Sequence, residues 1–180
     1  VIEELKKKIS ENEKAVYFTF GQPDNDEWCK CERCCASYKR YDNGYWDENM
    51  GITATMTVFV NRVAEEIDKW AKKAYSDRKY YIVTLSYRGT LHPPVKKENG
   101  KILPVYKVVK PRKNVMIYYC ASGGCQTHKL GDEICFKARR TAADLEGWKG
   151  LNANLAVYDY ATTFNNTLLY LLSLYENLAI

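Results

Sequence analysis

The sequence has no run of 18 consecutive apolar residues, so a membrane-spanning helix is not expected. It has no G-x-G-x-x-G motif after a predicted strand and no Walker loop, which argues against dinucleotide-binding and P-loop folds. No second C-x-x-C motif follows the first, so the cysteines do not match common zinc fingers. Val1 begins within a helical pattern rather than a signal peptide, and the chain is expected to be part of a larger polypeptide.

The composition is that of an ordinary globular protein, with 46% hydrophobic and 27% charged residues among 180. This length suits one domain with a real core, but a complete eight-unit barrel typically needs about 250 residues. The net charge is +5. Its lysines are dispersed over predicted helix ends and loops, whereas a nucleic-acid binder concentrates such charge on one face, so no nucleic-acid partner is expected.

Predicted strands and helices alternate along the chain. The apolar runs predict strands over residues 15–20, 80–86, 115–120 and 155–158, and helical periodicity predicts helices over 2–14, 53–76, 134–149 and 163–176. Such alternation is typical of a parallel sheet in an α/β fold. The sequence therefore predicts a single α/β domain over residues 1–180, built from parallel (β/α) units. Half of a TIM-type (β/α)8 barrel and an open doubly wound sheet both fit.

Polar and aromatic residues follow the predicted strands, where parallel α/β folds place their chemistry. Carboxylates can supply a general acid, a base or a nucleophile for a sugar, and the candidates are Asp24, Asp26 and Asp159. Amides and arginine can hydrogen-bond hydroxyl groups, and aromatic rings can pack against a pyranose. The candidate sugar-binding residues are Gln22, Trp28, Tyr87, Arg88, His92, Tyr160 and Asn165.

Structural roles compete with these assignments. Asp24 and Asp26 fit a simple turn, since Asp and Asn favour turns. Asp159 fits a cap on the helix that follows it. His92, before two prolines, fits an ordinary loop histidine equally well.

Cysteine is concentrated in residues 21–50, which are interpreted as a Cys-rich insertion loop. Its C-x-C-x-x-C-C cluster contains Cys29, Cys31, Cys34 and Cys35. Closely spaced thiolates can bind a structural zinc ion, and they can equally form disulfides with a second loop in an oxidising compartment. A redox or nucleophilic cysteine is less favoured, because no local signature supports one.

A second group of cysteines lies near the third predicted strand. Cys125 and Cys135 flank a short loop and could pair with each other or join the first cluster. His128, between them, is either a metal ligand or a bystander. Cys120 falls within the strand and is interpreted as a small buried apolar residue.

Several motifs occur in order and carry a resemblance to a known family. They are FTFGQPDNDEWCKCERC, VFVNRVAEEI, IVTLSYRGTLHPP, the pair Cys125 and Cys135, the Gly147-Trp148 dipeptide and AVYDYATTFNNTLL. Together they resemble the bacterial domain-of-unknown-function family number 4838 over residues 15–169. That family is similar to barrel-type glycoside hydrolases. The resemblance implies a (β/α)8 barrel in the full protein, a carbohydrate partner, and a secreted, cell-surface or periplasmic location, but it transfers no catalytic residues.

These observations lead to one first hypothesis and two rivals. The first is a glycoside hydrolase-like barrel domain that acts on a complex polysaccharide or glycan through carboxylate acid/base chemistry. The second is a non-catalytic carbohydrate-binding module, and the third is a metal-dependent enzyme that uses the Cys cluster. Catalysis in the first hypothesis needs no cofactor, and the one metal expected is a structural zinc, with disulfides as the alternative.

Overall fold

The computed structural model describes residues 1–42, 50–75, 78–121, 124–125, 127–151 and 153–158. The helices within these ranges are α1 (Ile2–Glu11), α2 (Glu32–Tyr41), α3 (Met50–Ala74) and α4 (Phe136–Gly150). The strands are β1 (Tyr17–Thr19), β2 (Tyr81–Ser86), β3 (Val95–Glu98), β4 (Lys101–Pro104), β5 (Val115–Cys120) and β6 (Asn154–Tyr158). Short 3-10 helices cover Arg88–Thr90 and Lys107–Val109.

Strands β1, β2, β5 and β6 form a four-stranded sheet in that order, and each neighbouring pair is parallel. The parallel sheet that the sequence predicts is therefore confirmed. Strands β3 and β4 lie outside it and pair with each other as an antiparallel hairpin. Apart from this hairpin, strands that are successive in the chain are neighbours in the sheet.

One face of the sheet carries the main hydrophobic core. Partner residues of parallel strands share a face, and Phe18 pairs with Ile82, which pairs with Val115. These three side chains are buried in one cluster with apolar residues of α1, α3 and α4. The described helices that pack on the sheet in this core therefore cover the same face.

The opposite face of the sheet, here named the tyrosine face, carries paired rings. Tyr17 stacks on Tyr81 with ring centroids 5.6 Å apart, and Tyr118 meets Tyr158 edge-on at 5.8 Å. Tyr17 remains 58% exposed. None of these rings belongs to the main core among the described residues.

Two elements differ from the prediction. The expected loop over residues 21–50 contains α2, which has Glu32 in its first turn and Lys39 and Arg40 in its last turn, charges that suit the dipole of a helix. Helix α2 packs closely on α3, because a Cβ atom on Gly51 would lie 2.1 Å from the Tyr38 carbonyl oxygen. The predicted helix 163–176 lies outside the described residues.

The second difference is the connection after β2. Its described part contains the β3–β4 hairpin and 3-10 turns rather than an α-helix, so the second unit is not a simple strand-then-helix unit. The hairpin turns at Asn99 and Gly100, whose φ angles are 51° and 74°. Asn-Gly is the preferred sequence for this two-residue turn, because both central residues need positive φ.

No helix in the described part of the chain has both the length and the apolar character needed to cross a membrane.

Candidate functional site

The four parallel strands end at one edge of the sheet, here named the carboxyl edge. Strands β1, β2, β5 and β6 end at Thr19, Ser86, Cys120 and Tyr158. The loops that follow the strands of such a sheet open at the same side of the fold, where ligands bind in parallel α/β proteins. The contacts between these loops define the candidate site.

The loop after β1 is joined to the loop after β2 by side-chain contacts. The Gln22 amide donates a hydrogen bond to the Tyr87 carbonyl oxygen at 2.8 Å, and its oxygen accepts one from the Thr90 hydroxyl at 2.8 Å. The Trp28 ring lies against Gly89, where a Cβ atom would be 2.7 Å from the indole nitrogen. The structure thus brings together Gln22, Trp28 and Tyr87, three residues that the sequence predicts to bind sugar. Gln22 and Trp28, however, make contacts with other residues of the same chain.

Arg88 joins the same two loops through charge. Its guanidinium donates to Asp26 Oδ2 at 2.6 and 3.0 Å and lies 3.6 Å from Asp24 Oδ1. The hydrogen bond from Arg88 is the main reason that the pKa of Asp26 is lowered, with a further contribution from the positive charge of Arg88. A carboxylate held ionised in this way suits a base or a nucleophile rather than a general acid.

Acid is expected to open this loop contact only below the usual titration range of aspartate, about pH 3.9. The pKa of Asp26 is lowered in the folded protein, so its stabilising effect is present above the unfolded pKa and is lost as pH falls through the folded one. The indole NMR signal of Trp28, followed from neutral to acidic pH, measures the opening. In Asp26→Asn the signal should no longer depend on this titration, and an unchanged titration would contradict the assignment to Asp26.

A buried polar network joins the loop after β2 to helix α4. His92 Nδ1 lies 2.7 Å from Asp144 Oδ1, and the Tyr119 hydroxyl donates to Asp144 Oδ2 at 3.1 Å. Asp144 is only 3% exposed. The Arg140 guanidinium lies 2.5 Å from His92 Nε2. Because a guanidinium only donates hydrogen bonds, Nε2 accepts and Nδ1 carries the hydrogen that points at Asp144.

The same network keeps Tyr119 protonated. Burial raises the pKa of Tyr119, and the neighbouring Asp144 carboxylate raises it further. The phenol is therefore a hydrogen-bond donor that stabilises the carboxylate of Asp144, which is almost fully buried.

A cavity of about 320 Å³ opens beside this network at the carboxyl edge. This volume lies at the lower end of the range of about 300–1,000 Å³ that is typical of small-molecule sites. Its lining combines apolar and polar side chains: Leu91, His92, Tyr119, Ala121, Gly124, Phe136, Lys137, Arg140, Thr141 and Asp144. Phe136 is 63% exposed, and the Arg140 guanidinium lies 5.9 Å from the centroid of its ring.

Of the residues that line this cavity, His92 was predicted from the sequence to bind sugar, whereas Tyr119, Phe136, Arg140 and Asp144 were not predicted. The last three occur at intervals of four residues, which places them on one face of an α-helix. That spacing was the feature of the sequence from which this group of residues could have been predicted. Tyr119 carried no such signal, because its role depends on the pairing of β5 with β2.

Three of the four cysteines of the first predicted cluster are brought together. The sulfur atoms of Cys29, Cys31 and Cys34 lie within 4.8 Å of one another, close enough to hold a metal ion. Cys35 is not part of this group. A hydrogen bond from the Cys34 backbone, followed by one from the Cys29 side chain, lowers the pKa of Cys31 to about 7, whereas hydrogen bonds with Cys29 and Cys31 raise that of Cys34 to about 11.

A second group that could hold a metal ion contains Cys125, His128 and Cys135, with donor atoms within 4.8 Å of one another. Burial raises the pKa of the Cys125 thiol, but hydrogen bonds from the His128 side chain and the adjoining backbone outweigh it and lower the pKa to about 6. All seven cysteines of the chain are free thiols in this structure.

Three predicted site residues, Asp159, Tyr160 and Asn165, lie outside the described residues. Their roles stay predictions, as do the catalytic roles of Asp24 and Asp26.

Comparison with known proteins gives one match. Residues 1–175 match the family described as domain of unknown function DUF4838, which confirms the family resemblance drawn from the motifs. No curated protein and no solved structure matches the chain. The match extends over nearly the whole chain, and the protein therefore belongs to the DUF4838 family.

Proposed function

We propose that the chain is part of a (β/α)8-type barrel domain, similar to glycoside hydrolases, that acts on a complex glycan at its carboxyl edge. The observation that carries the proposal is the cavity at this edge, where an exposed aromatic ring stands beside a buried network of charged and polar groups. Polar groups that converge in a partly apolar pocket are typical of a small-molecule site.

The topology supports a barrel rather than an open doubly wound sheet. A doubly wound sheet reverses its strand order at a switch point and is covered by helices on both faces. Among the described strands the order β1-β2-β5-β6 shows no reversal, and α1, α3 and α4 join one core on one face of the sheet. In a barrel the tyrosine face would be the inner surface, and its parallel strands would continue into further units.

The cavity suits a sugar because it offers both kinds of contact that a pyranose ring makes. The face of Phe136 can pack against the apolar C–H groups of the ring. Arg140 and Thr141 offer polar groups to hydroxyls within the same lining. Asp144 holds His92 in one orientation and His92 contacts the Arg140 guanidinium, and this fixed geometry reduces the entropy cost of binding.

Catalysis would fall to the carboxylates of the strand-end loops. Asp24 and Asp26 follow β1, and Arg88 keeps Asp26 ionised, as a base or nucleophile requires. A glycosidase of this kind also needs an acid, a role proposed for Asp159. Tyr160 and Asn165 complete the proposed sugar-binding set with Tyr87.

Replacing Phe136 with alanine is expected to weaken glycan binding about tenfold, since contacts of an aromatic face are worth on the order of 1 kcal/mol. Ile134→Ala is the matched control, because Ile134 is 92% exposed, lies two residues away and does not line the cavity. Binding of the full protein to a panel of plant and bacterial polysaccharides, measured by calorimetry, tests the pair. Equal binding by both variants would contradict a sugar site at Phe136.

A non-catalytic carbohydrate-binding module is the second candidate, and one observation favours it. Three described carboxylates of this edge already have partners: Asp24 and Asp26 pair with Arg88, and Asp144 pairs with His92. Release of reducing sugar separates the candidates. Turnover by the wild type that Asp26→Asn abolishes, with binding retained, identifies the hydrolase, whereas binding without turnover identifies the module.

The first cysteine cluster is proposed to bind a structural zinc ion that stabilises the loop after β1. Zinc prefers thiolate ligands, and Cys31 lies at the N-terminus of α2 with Cys34 one turn later. A catalytic metal at this cluster, a disulfide framework, and an extracytoplasmic location all remain predictions of the sequence.

A further inference from the structure

The loop between β5 and α4 brings three metal-binding side chains together. Cys125 Sγ and His128 Nδ1 are 3.1 Å apart, and both lie within 4.8 Å of Cys135 Sγ. Around a tetrahedral zinc, with bonds of about 2.3 Å to sulfur and 2.0 Å to nitrogen, ligand atoms are roughly 3.5–3.8 Å apart. The observed cluster can therefore close around zinc with small side-chain movements.

The backbone of the loop holds these side chains in place. Asp132 Oδ1 accepts hydrogen bonds from the backbone N–H groups of Ile134 and Cys135 at 2.9 and 3.3 Å, which fixes the approach of Cys135 to α4. The backbone N–H of His128 also points at Cys125 Sγ at 3.4 Å. Hydrogen bonds of this type orient the ligands of a metal and stabilise thiolate charge.

We propose that Cys125, His128 and Cys135 bind a zinc ion that fixes the loop at the mouth of the cavity. Two thiolates and one neutral imidazole balance the charge of Zn²⁺, and any protons that these three groups still carry are released to solvent on binding. The fourth tetrahedral position is left to water or to a further ligand. This inference is independent of the proposed function, since it needs no glycan.

The position of the site gives the metal a structural consequence. Gly124 and Phe136, the chain neighbours of Cys125 and Cys135, both line the cavity. An ion between the two cysteines would therefore link two chain segments that line the cavity. Loss of zinc would loosen the position of the Phe136 ring.

A test must distinguish the two clusters, because Cys29, Cys31 and Cys34 form the other group among the described residues that could hold a metal ion. The double variant Cys29→Ser/Cys34→Ser removes that group and leaves the β5–α4 loop intact. The full protein is purified with reductant, stripped with a chelator and titrated with Zn²⁺ and with Co²⁺, whose visible spectrum reports tetrahedral thiolate ligation. One tightly held equivalent is expected in this background.

Adding His128→Gln to the Cys29→Ser/Cys34→Ser variant is expected to weaken zinc binding strongly, because it removes a direct ligand. The loss should exceed the roughly 10–100-fold effect of removing a residue that only hydrogen-bonds to a ligand. His128 is exposed, so the metal-free fold should be unchanged, and equal melting temperatures of the two stripped proteins check this. Cys35→Ser is the control and should bind as its parent does. No bound zinc in the background, or a Cys125–Cys135 disulfide found by peptide mapping of protein made without reductant, would overturn the proposal.

Discussion

Replacing Trp148 with alanine is expected to lower the free energy of unfolding by about 3–5 kcal/mol, the usual cost of removing a buried aromatic side chain. Trp148 is 1% exposed in the main core. Its indole N–H donates to the Ser86 hydroxyl at 3.1 Å, which attaches α4 to the end of β2. The substitution thus leaves a large cavity and removes the contact that positions one wall of the site.

Chemical denaturation of matched variants measures this effect. Trp70→Ala is the control, because Trp70 is partly buried on α3 and packs edge-on against Tyr75 at 5.8 Å near the rim of the core. Its loss should cost less than half as much. Trp148→Phe should fall between the two, since it keeps most of the volume but leaves Ser86 without its indole donor. A loss at Trp148 no larger than at Trp70 would show that α4 is not held to the sheet as described.

Replacing Asp144 with alanine is expected to cost about 3 kcal/mol of stability, because two buried hydrogen bonds to a charged group are lost at once. His92 and Tyr119 would both lose their acceptor in a buried environment. Glycan binding should weaken at least tenfold, since His92 and Arg140 would no longer be held at the cavity.

A second carboxylate provides the control for Asp144. Asp68 also accepts a hydrogen bond from a tyrosine, Tyr80, at 3.2 Å, but its side chain is 26% exposed and pairs with Lys72 at the surface. Asp68→Ala should therefore cost about 1 kcal/mol or less and leave glycan binding unchanged. Urea unfolding of the three proteins gives the stabilities. Equal losses in the two variants would contradict the buried network as the source of the effect.

The parallel sheet was predictable because its signal is local. Continuous apolar runs mark β2 and β5, and α3 carries an apolar stripe from Val60 to Ala71 that the helical period reveals. The hairpin after β2 was predictable in principle from Asn99-Gly100, but the lysines and prolines around it resemble an ordinary loop. Helix α2 was not predicted, because the cysteines at its start were interpreted as part of a metal-binding or disulfide-bonded loop.

The site was predictable only in part, for a different reason. Side chains that directly follow strands, such as Gln22 and Arg88, can be placed at the carboxyl edge from strand position alone. The His92–Asp144 pair joins residues 52 positions apart, and its formation depends on how α4 packs against the sheet. A single sequence does not reveal how α4 packs, so a buried aspartate in this helix cannot be distinguished from an exposed one.

The carboxyl-edge cavity, and not another surface, is proposed to hold the glycan. A larger cavity of about 570 Å³ lies where β5 begins and is lined by residues such as Lys107, Lys110 and Asn114. NMR chemical-shift mapping of the labelled protein, titrated with oligosaccharides of a bound polysaccharide, compares the two directly. Chemical-shift changes are expected at Leu91, Ala121 and the start of α4. Shifts confined to Lys107–Asn114, with none at the carboxyl edge, would contradict the proposed site.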